Sequence, residues 1–319
     1  MIRSHTNCRA RAATAPNCCP CRQAATPEPA IAGHYGAPVP YASNEDVRIY
    51  YEDMGGDADA PTMLLINGLG SQCINYSETW CALLVAHGLR VIRFDNRDVG
   101  LSSHVGDRDP GDNDAWYSIS AMVDDALAVL DAVEAQRAHI VGLSMGGMIA
   151  QMLAITASER VISLCSVMSS TGEAEHMHRS PAAAAQFGAR PPHDLESHCE
   201  AWAAGLRVWG SPEFADEVRW RQEAERSYER SFDPAGSTRQ AMAIMTAPPR
   251  ADALRALDIP TLVVHGSHDT LIGPDAGRRT AELIPNARFE LIDGMGHDYP
   301  PQLWEQLSTL FAEHALGVS

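Results

Sequence analysis

The sequence contains no apolar run that approaches the roughly 20 residues needed to span a bilayer, so no transmembrane helix is predicted. It is also poor in basic residues, with 24 Lys and Arg against 41 Asp and Glu and a formal net charge of −17. Proteins that bind DNA, RNA or anionic membranes carry the opposite charge balance. We therefore expect neither nucleic acid nor a membrane as a partner.

The first 37 residues lack an acidic side chain before Glu28, lack periodicity, and lack the apolar segment of about 7–15 residues that a secretory signal needs. We interpret residues 1–37 as a flexible extension, with a transit-like segment or a start codon assigned too far upstream as alternatives. Within it, Cys18-Cys19-Pro20-Cys21 has no second cysteine or histidine pair at zinc-site spacing, so no metal site is predicted. Cys8 also lies in this extension. The four cysteines beyond it stand singly, which is typical of a reducing compartment and favours a cytoplasmic location: Cys73, Cys81, Cys165 and Cys199.

Short apolar runs alternate with helical patterns along most of the chain, and 45% of all residues are hydrophobic. The runs predict strands near 46–51, 62–66, 90–94, 138–142, 160–168, 261–265 and 289–292. Between them, helices are predicted up to about residue 86, over 119–135 and over 302–314. On the second helix, Val123, Leu127, Leu130 and Val133 share one face, whereas Asp124, Asp125, Asp131 and Glu134 fall elsewhere. Strands alternating with helices predict an α/β fold with a mostly parallel sheet covered on both faces.

One block interrupts this alternation. Residues 173–247 contain no clear buried strand and carry three of the six tryptophans, Trp202, Trp209 and Trp220. We interpret the block as a helical cap, or lid, inserted between two late strands, with residues 38–172 and 248–319 forming the core. The aromatic rings would then shape an apolar pocket, or alternatively form only the small core of the cap itself.

The stretch 138–150 organises the chain. An apolar, β-branched run leads into Gly142-Leu143-Ser144-Met145-Gly146, and a helix-forming run follows. In this strand–turn–helix context the pattern indicates a nucleophile elbow, in which the serine takes an unusual φ/ψ and glycines admit close backbone neighbours. The turn would present the Ser144 hydroxyl at the head of a helix, where free N–H groups favour negative charge.

A serine hydroxyl needs a base, and the base needs an acid that fixes its tautomer. Both follow in order. One strand ends in a turn presenting Asp269, and another ends in the glycine-flexed loop 294–296 presenting His297. The order Ser, Asp, His along the chain is the one expected when the nucleophile lies on an elbow of this kind. His265 and His268 are alternatives better explained as structural, and Asp293 and Asp298 lie too near His297 in sequence to orient it.

The tetrahedral intermediate needs donors for its oxyanion. The backbone N–H of Met145 is one candidate. The glycine-rich loop 67–70 supplies the other, which we predict to be the N–H of Leu69. The following polar stretch, 95–102, is expected to support this loop, with Arg97 pairing to a carboxylate in a structural role.

Taken together, these motifs resemble the α/β-hydrolase superfamily from about residue 40 to the C-terminus. They are Asn67-Gly68-Leu69-Gly70, Asp95-Asn96-Arg97-Asp98-Val99-Gly100-Leu101-Ser102, Gly142-Leu143-Ser144-Met145-Gly146-Gly147, Gly266-Ser267-His268-Asp269 and Gly294-Met295-Gly296-His297. The second motif especially resembles bacterial carboxylesterases of the aclacinomycin methylesterase type. The resemblance implies an α/β-hydrolase fold with Ser144 as nucleophile, His297 as base, Asp269 as acid, and Leu69 and Met145 as oxyanion donors. One departure is Asn67, where many members have histidine.

The expected activity is hydrolysis of a small-molecule carboxylic ester through an acyl-enzyme, without a metal or organic cofactor. His176 and His178 could ligate a metal, but nothing nearby in the sequence completes such a site. Three other activities use the same three residues: carbon–carbon bond hydrolysis, acyl transfer and cofactor-free perhydrolysis. A ligand sensor that retains the three residues and signals by lid movement is a further alternative.

Overall fold

The computed structural model describes residues 40–106 and 116–318. The extension assigned to residues 1–37, with its cysteine cluster, therefore lies outside the described residues. The strands are β1 (Tyr41–Asn44), β2 (Val47–Asp53), β3 (Thr62–Ile66), β4 (Arg90–Phe94), β5 (Ala138–Leu143), β6 (Val161–Val167), β7 (Thr261–Gly266) and β8 (Arg288–Ile292).

The helices of the described ranges surround these strands. They are α1 (Glu78–Ala86), α2 (Ile119–Ala132), α3 (Met145–Thr156), α4 (Pro181–Phe187), α5 (Leu195–Trp209), α6 (Glu217–Arg230), α7 (Pro234–Thr246), α8 (Ala251–Arg255), α9 (Pro274–Leu283) and α10 (Trp304–Leu316). None of the helices in this part of the chain has the length and hydropathy that a bilayer crossing requires.

The strands form one sheet in the order β1-β2-β4-β3-β5-β6-β7-β8. β1 pairs antiparallel with β2, and β2 antiparallel with β4, whereas every pairing from β4 to β8 is parallel. The prediction of a mostly parallel sheet is confirmed. Since parallel strands end at a common edge, the loops that follow β3, β5, β7 and β8 are brought together.

Each face of the sheet carries its own hydrophobic core, as the side-chain alternation of a strand requires. In β3, Leu64 and Ile66 pack into the cluster that contains α2 and α3. Met63 and Leu65 pack into the opposite cluster, which contains α1 and α10. All four side chains are at most 1% exposed, which is why β3 consists of an uninterrupted apolar run.

One detail of α2 departs from its predicted amphipathic pattern. Asp124 is exposed, but Asp125 is fully buried. Arg97 approaches it with two nitrogens, Nε at 2.6 Å from Oδ2 and Nη2 at 2.7 Å from Oδ1, and Asn44 donates to the same carboxylate. The helical periodicity predicted that Asp125 lies off the apolar face. A periodic pattern carries no information on a buried counter-charge elsewhere in the chain, so it could not predict that Asp125 is buried. The predicted structural pairing of Arg97 with a carboxylate is confirmed.

Candidate active site

Ser144 occupies the turn between β5 and α3 with φ +56° and ψ −115°, a conformation that non-glycine residues rarely adopt. The turn is held from both sides. The Ser144 N–H donates to the Val167 carbonyl at 2.8 Å, and the Ser169 hydroxyl donates to the Ser144 carbonyl at 2.7 Å. The unusual φ/ψ predicted for this serine is confirmed.

Glycines flank Ser144 because neighbouring backbone leaves no space for a side chain. A Cβ at Gly142 would overlap the carbonyl of Gly146, and a Cβ at Gly146 would overlap the carbonyl of Ile66. These close approaches join the turn to the start of α3 and to the end of β3. The geometry explains the glycine spacing that the sequence shows.

Asp269 and His297 are joined at the ends of β7 and β8. His297 Nδ1 lies 2.6 Å from Asp269 Oδ2, and neither side chain is more than 8% exposed. The other oxygen, Asp269 Oδ1, accepts the backbone N–H groups of Leu271 and Ile272, each at 2.9 Å. The carboxylate is therefore fixed by the turn that follows it, and the imidazole is fixed by the carboxylate.

The charge state of Asp269 follows from these neighbours. Burial raises its pKa, but the charge of His297 and hydrogen bonds from His265 and His297 outweigh burial and bring the pKa to about 2. His265 Nε2 lies 3.3 Å from Asp269 Oδ2 and 2.8 Å from the Ile272 carbonyl. A carbonyl oxygen can only accept, so this nitrogen carries a proton. At neutral pH, Asp269 is thus an ionised, acceptor-only group.

Ser144 and His297 line the same cavity, which has a volume of about 680 Å³. Among the described residues the Ser144 hydroxyl forms no hydrogen bond, and hydrogen bonds between catalytic groups commonly tighten only when substrate is bound.

The two histidines considered as alternatives to His297 lie elsewhere. His265 is fully buried behind Asp269, and the ring of His268 lies 3.0 Å from the Ser267 hydroxyl. Of these three histidines, His297 alone lines the cavity.

Two backbone N–H groups beside Ser144 are free to bind a ligand. Leu69 and Met145 both line the cavity, and neither N–H has an acceptor within residues 40–106 and 116–318. Met145 is the first residue of α3, where helical N–H groups lack intrahelical partners. Leu69 follows Gly68, whose missing side chain lets this loop pass close to Ser144; a Cβ there would lie 3.3 Å from the Ser144 Cβ.

The loop 67–72 is held in shape by polar side chains. Asn67 Nδ2 donates to the Gln72 carbonyl at 2.7 Å, and Asn96 Nδ2 donates to the Asn67 carbonyl at 3.0 Å. Asn67 thus links the beginning of this loop to its end. Support from the 95–102 stretch, as the sequence predicted, is confirmed by Asn96 and by Asp95, which accepts the Cys73 N–H at 2.7 Å.

The insertion between β6 and β7 is tied to these same loops. Gln240 of α7 accepts the Gly70 N–H at 2.8 Å and donates to the Arg97 carbonyl at 2.8 Å. Buried ion pairs add to these bonds. Arg230 of α6 lies 2.7 Å from Asp95, and Arg239 of α7 lies 2.8 Å from Asp98.

The insertion also holds the loop that carries His297. The His297 N–H donates to the Trp209 carbonyl at 2.6 Å, at the end of α5. The Ser211 hydroxyl donates to Asp298 Oδ1 at 2.5 Å and accepts the Gly296 N–H at 2.8 Å. Ser211 and Gln240 could not be predicted as positioning residues, since neither belongs to a motif and both form contacts across more than 80 residues.

Of the three tryptophans in the insertion, Trp202 and Trp209 line the cavity. Trp220 is 2% exposed and is not among the cavity residues. Trp202 and Trp209 therefore line the cavity, as the first interpretation of the sequence predicted, whereas Trp220 is buried within the insertion, as the second predicted.

The sequence analysis considered His176 as a possible metal ligand, but a carboxylate beside it is paired with an arginine. His176 lies with Glu173 and Glu175 in a group whose ligand atoms are within 4.8 Å of one another. Glu173 is already bound by two guanidinium nitrogens of Arg279, at 3.0 and 3.1 Å, and its pKa is lowered to about 2, chiefly by these hydrogen bonds. The Glu173 carboxylate is therefore already paired with the guanidinium of Arg279.

A comparison with known protein families shows which family the chain belongs to. Residues 61–300 match the model of the alpha/beta hydrolase fold family. The chain belongs to the α/β-hydrolase family. The expected α/β-hydrolase fold is confirmed, and the protein is a hydrolase.

Among its relatives is rhodomycin D methylesterase DnrP of Streptomyces peucetius. The two are 29% identical over 303 residues, which cover 87% of this chain and 98% of the relative. A putative carbamate hydrolase, RutD of Variovorax paradoxus, is 30% identical over 258 residues, covering 78% and 89%. The resemblance to bacterial methylesterases that the motifs indicated is confirmed.

Solved structures show the same fold. Est816, described as an N-acyl homoserine lactone degrading enzyme, has a TM-score of 0.66 at 26% identity, covering 88% of this chain and all of that one. A meta-cleavage product hydrolase, CumD of Pseudomonas fluorescens, has a TM-score of 0.71 at 21% identity, covering 88% and 98%. At that identity, the second likeness concerns the fold alone.

Proposed function

We propose that this hydrolase cleaves a small-molecule carboxylic ester through a covalent acyl-enzyme, with Ser144 as nucleophile, His297 as base and Asp269 as orienting acid. One observation carries the proposal. Ser144, on its strained turn, lines the same cavity as His297, and Nδ1 of that imidazole lies 2.6 Å from the buried carboxylate of Asp269. The methylesterase activity named for the relatives supports the ester as substrate class.

The chemistry follows from the proton positions. Because Asp269 is ionised, it keeps the proton of neutral His297 on Nδ1 and leaves Nε2 as the acceptor. His297 then takes the Ser144 proton as the hydroxyl attacks the ester carbonyl, and returns it to the leaving alcohol. In the second half, it takes a proton from water, which attacks the acyl-enzyme and releases the acid.

The free N–H groups of Leu69 and Met145 are the proposed oxyanion donors. Both groups line the cavity beside Ser144 and have no acceptor among the described residues. Removing one donor of this kind typically costs about 3 kcal/mol of transition-state stabilisation. Since these donors belong to the backbone, the conformation of loop 67–72 and the start of α3 decide how well the intermediate is held.

Residues 173–247 are proposed to act as a cap on a core formed by residues 38–172 and 248–319. The cavity supports this division, because it is lined both by loops at the sheet edge and by insertion residues such as Phe187, Trp202 and Trp209. The cap would enclose the substrate and exclude water while the acyl-enzyme forms.

Labelling with a fluorophosphonate tests the nucleophile without knowledge of the substrate. Mass spectrometry of the wild-type protein should find the label on the peptide that contains Ser144. Ser144→Ala should lose both labelling and hydrolysis of short p-nitrophenyl esters, with unchanged thermal unfolding. Ser158→Ala, an exposed serine beyond the end of α3, is the matched control. Labelling or ester turnover retained by Ser144→Ala contradicts the proposal.

A further inference from the structure

The cavity wall supplied by the insertion contains buried donor groups that no described residue satisfies. They are Arg179 Nε, Trp202 Nε1 and Arg219 Nη2, and all three residues line the cavity. A buried polar group without a partner costs about 1–3 kcal/mol, so such groups seldom persist without a purpose. These three atoms are themselves enclosed by protein, so a ligand in the cavity would meet the rest of each side chain. For Arg179, which is only partly buried, this includes the two terminal guanidinium nitrogens, which form no hydrogen bond with the described residues.

Arg179 differs from the other arginines of this wall. Two other arginines line the cavity: Arg219 pairs with Glu223 at 2.6 Å, and Arg190 is exposed to solvent, whereas Arg179 is partly buried. For Arg179, no carboxylate within the described part of the chain lies in ion-pairing distance, and its guanidinium lies over the ring of Phe187 at 4.2 Å. Burial lowers the pKa of Arg179, with no carboxylate to offset it. An arginine remains charged at neutral pH even so, which leaves an uncompensated cation on the cavity wall.

The acidic side chains of the cavity are already engaged elsewhere. Asp98 and Asp233 both bind Arg239, Glu223 binds Arg219, and Asp298 binds Ser211. Burial also raises the pKa of Glu223 and of Asp298, because it disfavours the ionised form of each carboxyl. None of the four is in ion-pairing distance of Arg179. The cation is therefore available to a ligand.

The backbone on both sides of Arg179 is fixed to the loop that follows Asp269. The Gly273 N–H donates to the His178 carbonyl at 3.1 Å, and the Ser180 N–H donates to the Thr270 carbonyl at 2.9 Å. These bonds hold the backbone of Arg179 in place relative to Asp269, and the ring of Phe187 supports the guanidinium. Such preorganisation lets a binding group select the orientation of a substrate at low entropic cost.

We propose that Arg179 forms a carboxylate-binding subsite, so that the preferred substrate is an ester whose non-reacting part carries a carboxylate. This inference rests on the proposed ester hydrolysis and names the substrate class for the same cavity. A guanidinium binds a carboxylate through two parallel N–H donors, an arrangement that gives both affinity and direction.

Binding to the full-length Ser144→Ala protein tests this subsite without any chemistry. Calorimetry would compare monomethyl terephthalate, which has a free carboxylate, with methyl 4-acetylbenzoate, its neutral counterpart of similar shape. We expect the anion to bind about 10- to 100-fold more tightly. Adding Arg179→Gln should remove this preference, and Arg179→Lys should restore part of it. Arg221→Gln, which deletes an equal charge from an exposed part of α6, should leave it unchanged.

Two results would overturn the subsite. One is equal affinity for the two ligands in the Ser144→Ala parent, and the other is a preference that survives Arg179→Gln. Neither depends on turnover. Failure of the proposed ester hydrolysis would show itself separately, as a fluorophosphonate label that does not fall on Ser144.

Discussion

Replacing Asp269 with asparagine removes one charge and almost no volume, and it should abolish most of the activity. The asparagine carbonyl can still accept the N–H groups of Leu271 and Ile272, which now reach Asp269 Oδ1. Its amide nitrogen then faces His297 Nδ1 at the position of Oδ2. Because an amide nitrogen only donates, Nδ1 must become the acceptor, and the imidazole proton moves to Nε2.

In that tautomer His297 has no lone pair to offer Ser144. The wrong tautomer in an arrangement of this kind lowers kcat by about 10³- to 10⁴-fold. We expect a loss of that size in p-nitrophenyl ester hydrolysis by Asp269→Asn. Asp293→Asn is the matched control, because Asp293 contacts the Ser267 hydroxyl at 3.2 Å and not His297. A kcat for Asp269→Asn within about tenfold of the parent would refute the assigned role.

Stability gives a second readout of the same carboxylate. The native pKa of about 2, against an ordinary value of 3.8, corresponds to about 2 kcal/mol of stabilisation at neutral pH. Because the folded-state pKa is the lower one, this contribution is complete above about pH 4 and is lost as the pH falls through 2. Urea unfolding of the parent and of Asp269→Asn should therefore differ at pH 7 and converge in acid. A constant gap across this range would contradict the low native pKa.

Two further substitutions test how the elements around Ser144 and His297 are held. Ser211→Ala removes the donor to Asp298 and the acceptor for the Gly296 N–H, so kcat should fall about tenfold with little change in KM, and Ser211→Thr should recover part of it. An unchanged kcat would mean that Ser211 does not position the His297 loop. Gly146→Ala would drive a Cβ into the Ile66 carbonyl and should destabilise the fold by at least about 1–3 kcal/mol in thermal unfolding. Gly188→Ala, with nothing closer than 3.5 Å, is its control, and equal losses in the two variants would contradict this account.

The sequence predicted the framework well where a single local pattern decides the structure. The apolar run of β3 predicted that strand at its observed bounds, because a strand covered on both faces seldom has a polar position. The bounds predicted for β4 are also the observed ones, although this strand contains the buried Arg93. The short edge strand β1, with the sequence Tyr-Ala-Ser-Asn, was missed. It has neither a buried run nor a clear alternation, and it is held instead by pairing to β2.

The candidate site could be predicted only to the extent that its residues belong to local motifs. Ser144, Asp269 and His297 each follow a recognisable strand, so their convergence at one sheet edge followed from the topology. Ser211 lies in the connection between α5 and α6, Gln240 lies within α7, and neither belongs to a motif, so what they contact is fixed by tertiary packing. The burial of Asp125 likewise depends on Arg97, which is 28 residues away in the chain. Contacts between residues so far apart in the chain leave no periodic pattern in the local sequence.

The ion pairs of Asp95 with Arg230 and of Asp98 with Arg239 constrain how such a protein can be recombined. Both aspartates are 0% exposed, and in each pair the arginine comes from the helices between β6 and β7. A chimera that received these helices from another hydrolase without the two arginines would bury two carboxylates with no counter-ion. Each orphaned charge would cost about 3–5 kcal/mol, comparable to much of the stability of an ordinary domain. Transplanting substrate specificity into this scaffold therefore requires that Asp95 and Asp98 be exchanged together with the helices.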